Sequence, residues 1–143
     1  MSCFTATRDI AARPEAVFAA FADESRLARW WGPRGFSNRI SLCEFRPGGR
    51  WLLTMIGPDG HPYPNESRFA AIEPPQRIVI EHLSAPEFSL TVTLTPSAGG
   101  TRVQWQQQFA DAALAAMLRE RVEPANAQNL ERLEAEVLGR DPA

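Results

Sequence analysis

Six short runs of β-type sequence, each closed within a few residues by turn chemistry, fill the middle of this chain and restrict its topology more than any other feature. They cover Arg39–Phe45, Arg50–Ile56, Asn65–Ile72, Arg77–Leu83, Phe88–Thr95 and Thr101–Phe109. Between them stand Pro47-Gly48-Gly49, Gly57-Pro58-Asp59-Gly60, Pro74-Pro75, Ala85-Pro86 and Ser97-Ala98-Gly99-Gly100. Parallel neighbours need a crossover of a dozen or more residues, so connections this short predict antiparallel hairpins. Before them, Phe4, Ala6 and Ile10 alternate with Thr5, Thr7 and Asp9, the period of a strand with one buried face. The expectation is a seven-stranded antiparallel meander.

Helical signals bracket this sheet. Pro14 and Glu15 open a stretch with Val17, Phe18 and Phe21 at helical spacing, since proline suits a first helical position and an acid suits the first turn. Asp23 reads as the cap of a second short helix through Leu27 to Trp31, stopped by Gly32-Pro33. After Phe109 two helical segments are predicted, Ala112–Arg121 and Pro124–Leu138, the second carrying Leu130, Leu133 and Val137 on one face. That second segment would be about 22 Å long, enough to span the sheet. With 143 residues and no repeat or linker, the chain reads as one domain, residues 1–143.

Composition removes several function classes. The net charge is −2 and no stretch concentrates basic residues, which disfavours nucleic acid as a partner. All fifteen basic residues are arginine, so Schiff-base chemistry and a phosphate-loop lysine are excluded. Cys3, Cys43, His61 and His82 form no metal-ligand spacing, and neither metal nor organic cofactor is expected. The first residues lack a basic stretch followed by an apolar one, and nowhere do eighteen apolar residues run together. A cytoplasmic protein with free thiols and no membrane insertion is the expectation.

Six segments together resemble the heat-shock-protein-90 ATPase activator-like (AHSA-like) family of the START/SRPBCC superfamily, which also holds Bet v-like and polyketide cyclase-related proteins. They are Arg8 to Val17, Leu27 to Gly35 with its Trp30-Trp31-Gly32-Pro33, Arg46-Pro47-Gly48-Gly49-Arg50-Trp51, Pro58-Asp59-Gly60, Gly99-Gly100-Thr101-Arg102, and Val122 to Leu133. The resemblance implies an α+β helix-grip (START-like) fold: strand, two short helices, six strands, and a curved sheet wrapped around a long C-terminal helix. It also implies a cavity between sheet and helix, as in lipid-transfer relatives, and a bacterial-type single domain.

A curled sheet presents alternate side chains to its concave face, so the larger apolar set of each strand gives its phase. Trp51, Leu53 and Met55 are assigned inward, with Phe69, Ile78, Ile80 and His82. Phe88, Leu90, Val92 and Leu94 follow, then Val103, Trp105, Gln107 and Phe109. On the last helix Asn126, Asn129, Leu130 and Leu133 share the inward stripe. Of the pair Trp30 and Trp31, one is expected to pack inside and the other to close the cavity mouth. The candidate ligand-binding set is therefore Trp31, Trp51, Leu53, Met55, Phe69, Ile80, His82, Phe88, Leu90, Val92, Trp105, Gln107, Phe109, Asn126, Asn129, Leu130 and Leu133. Asn126 and Asn129 either satisfy nearby backbone or face something polar, and His82 is either a satisfied core residue or a polar anchor for a guest.

The reading that follows is a non-catalytic or weakly specialised domain that binds a small, mainly hydrophobic molecule. Two alternatives stand beside it. One is an enzyme (cyclase, hydrolase or dehydratase) using His82 with an inward carboxylate or amide; Glu44, Glu66 and Glu81 qualify only if their strands have the opposite phase. The other is a co-chaperone-like interaction module whose outer face exposes Leu52 and Ile56, a surface that would also suit a homodimer.

Overall fold

In the computed structural model, which describes residues 2–140, ten elements follow one another along the chain. They are β1 (Cys3–Ile10), α1 (Pro14–Ala22), α2 (Glu24–Trp30), β2 (Ser37–Cys43), β3 (Arg50–Ile56), β4 (Pro62–Glu73), β5 (Arg77–His82), β6 (Phe88–Ser97), β7 (Gly100–Phe109) and α3 (Ala112–Leu138). The seven strands form one open antiparallel sheet in the order β1-β7-β6-β5-β4-β3-β2. This is the α+β helix-grip layout. The meander is confined to β2–β7, and β1 corrects it: β1 pairs with β7, Ala6 opposite Trp105, because α1 and α2 carry the chain across before β2 begins.

Strand ends differ from the sequence reading where turns tighten. β2 lies two residues earlier than Arg39–Phe45, since its register shifts between Ile40 and Leu42 and Glu44 then leaves the ladder. Gly49 makes that corner possible: a Cβ there would stand 1.9 Å from the Glu44 carbonyl oxygen.

The short helices form as local chemistry dictates. Pro14 occupies the first turn of α1, which buries Val17, Ala20 and Phe21. Asp23 caps α2, its carboxylate accepting from the Ser25 and Arg26 amides at 2.9 and 3.2 Å. Trp30 then ties the two helices together by donating from its indole nitrogen to the Ala20 carbonyl at 2.9 Å.

The two predicted C-terminal segments are one helix of 27 residues, about 40 Å long. Pro124 lies inside it rather than at its start. Proline removes the amide that would bond the Glu120 carbonyl, but both residues are exposed, so water can serve that carbonyl and the helix continues. Gly139, with φ 69°, ends it.

Two apolar clusters fill the layer between sheet and helices. The larger joins Ile10, Trp51, Phe69, Ile78, Ile80, Val92, Leu94 and Val103 of the sheet to Phe21, Leu27 and Trp30, with Leu130 and Leu133 of α3. The smaller joins Phe4, Phe109 and Ala115, with Leu118 and Val122 packed against it under the first half of α3. Ion pairs hold the edges of α3: Arg8 to Glu134 at 2.7 Å, and Arg26 and Arg29 to Glu136 at 3.0 and 2.9 Å. These two arginines hold the Glu136 carboxyl below its ordinary range. No helix among the described residues is long and apolar enough to cross a membrane.

Candidate functional site

The sheet is not filled along its whole length. Helices α1 and α2 plug one end of its concave face, while at the other end α3 crosses over a cavity of about 240 Å³. Five strands reach that end with residues of one phase: Leu53 and Met55 on β3, Asn65 and Ser67 on β4, His82 on β5, Phe88 and Leu90 on β6, Trp105 and Gln107 on β7. The cross-strand neighbours Leu53↔Asn65, Ser67↔His82, His82↔Phe88 and Leu90↔Gln107 make this wall continuous. The roof is Ala125, Asn126 and Asn129 of α3, and Trp31, Gly32 and Pro33 form one side. A shallower groove along Phe36, His61 and Tyr63 adjoins the cavity at Met55, Asn65 and Pro86.

Ten of the seventeen residues expected from the sequence lie on this wall: Trp31, Leu53, Met55, His82, Phe88, Leu90, Trp105, Gln107, Asn126 and Asn129. The other seven do not. Trp51, Phe69, Ile80, Val92, Leu130 and Leu133 point inward but lie in the packed region filled by α1, α2 and α3, and Phe109 belongs to the smaller cluster. Trp31 separates the two regions, its ring 4.8 Å from Trp51 and 5.7 Å from Trp105. The indole nitrogens of Trp51 and Trp105 are sealed without a hydrogen-bond partner. Both rings stand against other indoles in tilted or edge-on pairs, where an N–H edge can meet a π face.

Sequence reasoning missed Gly32, Pro33, Asn65, Ser67, Pro86 and Ala125. Asn65 and Ser67 were available in principle, because they share the period-two phase of Phe69; choosing inward residues by apolarity passed over them. Gly32 had a weaker signal as a helix stop. Its φ of 94° and the Met55 methyl, 2.9 Å from where a Cβ would stand, explain why that position carries no side chain.

The loop from Trp31 to Phe36 is fastened to α3 by polar bonds. Asn129 accepts from the Gly32 amide at 3.2 Å and donates to the Trp30 carbonyl at 3.0 Å. Arg132, buried, donates to the carbonyls of Arg29, Trp31, Gly32, Pro33 and Phe36 at 2.7 to 3.1 Å. Burial lowers the pKa of this guanidinium from its ordinary value, and no carboxylate pairs with it among the described residues. Asn129 thus serves the backbone while also facing the cavity. Asn126 donates to Gln107 Oε1 at 3.0 Å.

His82 is held on both sides. Nδ1 meets the Pro86 carbonyl oxygen at 2.9 Å, Nε2 faces the Asn65 carboxamide, and the ring stacks on Phe88 with centroids 4.5 Å apart. Burial lowers its pKa from the ordinary histidine value, opposed by the bonds to the Pro86 and Ser84 backbone. Among the described residues no carboxylate bonds to it. Glu44, Glu66 and Glu81 pair instead with Arg46, Arg50 and Arg68. Leu52 and Ile56, expected as an exposed patch, are half-buried, and among the described residues the exposed large apolar side chains are Tyr63, Leu83 and Met117. Cys3 and Cys43 are free, and burial pushes the Cys43 thiol up to about 11, far from a nucleophilic thiolate at neutral pH. Among the described residues no group of three or more His, Cys, Asp or Glu could hold a metal ion.

A curved antiparallel sheet gripping a long helix over an end cavity defines a helix-grip domain of the SRPBCC class. Its likeness to solved structures is close. A protein of Chromobacterium violaceum aligns with a TM-score of 0.85 at 25% identity, over 94% of this chain and 96% of that one. A protein of Arthrobacter aurescens gives 0.88 at 23% identity, over 96% and 87%. An AHSA1-like protein from Aeromonas hydrophila gives 0.76 at 21% identity, over 99% and 96%. No curated protein matches in sequence. The family described as activator of Hsp90 ATPase homolog 1-like protein matches residues 11–137, and the chain belongs to that family.

Proposed function

We propose that the chain binds a small, mainly hydrophobic molecule in the cavity between the sheet and α3, and that it does so in the cytoplasm, where its two free cysteines stay reduced. The observation that carries this reading is the cavity itself. Beside the apolar cluster under α1 and α2, about 240 Å³ stays open beneath α3, walled chiefly by Leu53, Met55, Phe88, Leu90, Trp31 and Trp105. An apolar pocket with a few convergent polar groups is the usual form of a small-molecule site. The enzyme reading keeps an inward amide, Asn65, beside His82 but no carboxylate among the described residues, and the interaction-module reading keeps the family match without an exposed Leu52–Ile56 patch.

Tryptophan emission tests the reading. Fatty acids, flavonoids and polycyclic aromatics are titrated against the protein and against single Trp→Phe variants. The expected result is a saturable change that shrinks in Trp105→Phe and in Trp31→Phe and persists in Trp51→Phe. A panel that moves neither the emission nor the melting temperature overturns the proposal.

A further inference from the structure

One pair of side chains on the cavity wall has more hydrogen-bonding capacity than the protein uses. Gln107 and Asn126 are each 9% exposed, and the single bond between them runs from Asn126 Nδ2 to Gln107 Oε1 at 3.0 Å. A primary carboxamide has two N–H donors and an accepting oxygen. That bond therefore leaves Gln107 Nε2 and Asn126 Oδ1 without a protein partner among the described residues. Exchanging nitrogen and oxygen in both groups reverses the bond and again leaves one donor and one acceptor free, so the pattern does not depend on how the amides are oriented. Neither atom is sealed; the enclosed orphans are on Asn38, Trp51 and Trp105. Both residues line the cavity, so the unused donor and acceptor stand side by side on its wall.

The wall also lacks charge. It contains no Asp, Glu or Arg, and both ring nitrogens of its one ionisable side chain, His82, are already engaged. An ion entering such a site gives up its hydration and meets no counter-charge on the lining, and the Arg132 guanidinium behind Gly32 is already engaged by backbone carbonyls. The volume of about 240 Å³ exceeds the roughly 150 Å³ that holds benzene and falls below the usual drug-sized range.

We infer that the guest is a neutral molecule of one or two fused rings bearing a hydrogen-bond donor and acceptor on adjacent atoms, such as a lactam or cyclic imide, whose polar edge pairs with the Gln107 and Asn126 carboxamides. This rests on the reading of the cavity as a ligand site. Trp31, Trp105 and Phe88 face the ring body, and the amide edge fixes its orientation.

Four bicyclic probes of similar shape test it: naphthalene, the lactam carbostyril, naphthoate, and naphthylmethylammonium, each measured by ligand-observed NMR and calorimetry. Carbostyril is expected to bind at least tenfold more tightly than naphthalene, and the two ions more weakly than either. The double variant Gln107→Met/Asn126→Leu removes both carboxamides together and leaves no orphan between them. It should bring the ratio of carbostyril to naphthalene affinity down from tenfold or more to about one. Equal affinity of the two neutral probes in the unaltered protein, or preference for either ion, overturns the inference and leaves the cavity reading standing. Binding of none of the four overturns the cavity reading itself. The probe comparison needs only the unaltered protein, so it decides even if the double variant fails to fold.

Discussion

His82 and Arg132 show how single residues shape the cavity end. The Pro86 carbonyl accepts only, and Asn65 presents its oxygen to Nε2, so these two contacts together suit an imidazolium; a neutral ring is satisfied when the Asn65 amide turns its nitrogen inward. Burial is the larger effect and lowers the pKa. Because the folded value lies below the unfolded one, the unfolded chain binds more protons between them. The stability tied to His82 is therefore fully present above about pH 6.5 and is lost as pH falls through the folded pKa. Urea midpoints measured from pH 7.5 to 5 should fall for the unaltered protein and flatten in His82→Gln. Glu136, depressed by Arg29 and Arg26, acts only at more acidic pH. Arg132→Met leaves four loop carbonyls and the Arg29 carbonyl of α2 without their donor, and a loss of about 3 kcal/mol or more is expected in urea unfolding. A loss under about 0.5 kcal/mol, typical of an exposed site, contradicts the anchoring role.

Among the elements, the strands were the most legible because each writes its phase directly into sequence. Leu90/Val92/Leu94 and Val103/Trp105 alternate with polar neighbours, β3 and β5 are less clear because Leu52 and Val79 are also apolar, and turn residues mark the ends. Pairing of β1 with β7 was not legible, since nothing local states which edge a strand joins after two helices. Pro124 misled for a different reason: proline rules weigh the lost amide bond, while exposure decides whether water replaces it. Packing along α3 is testable at Leu133, fully buried against the sheet. Leu133→Ala should cost about 2–5 kcal/mol by denaturant unfolding, whereas Ala127→Ser on the exposed face should stay within about 0.5 kcal/mol.

At the scale of the whole molecule, sequence phase identifies the concave face but not how far along it the helices reach. That is why Trp51, Phe69, Ile80, Val92, Leu130 and Leu133 are grouped with the wall residues: they share the inward orientation and differ only in position along the strands or along α3. Leu90 lies at the cavity end, and Leu90→Trp distinguishes free space from packed core. It is expected to weaken probe binding while the denaturation midpoint of the empty protein stays near that of the unaltered chain; overpacking a closed core would cost about 1–3 kcal/mol instead. A bound probe at 100 times its dissociation constant should add about 2.7 kcal/mol to the unaltered protein and much less to the variant.

The same strands carry a packed end under α1 and α2 and a hollow end under α3, and this division has an evolutionary consequence. Neighbours two positions apart, such as Trp51 and Leu53, or Val103 and Trp105, share the core, but only the second of each pair also meets the cavity. Met55, Phe88 and Gln107 can diverge to accept a new guest while Trp51, Ile80 and Val103 keep the scaffold folded. A lineage built on this plan can change its chemistry one strand end at a time.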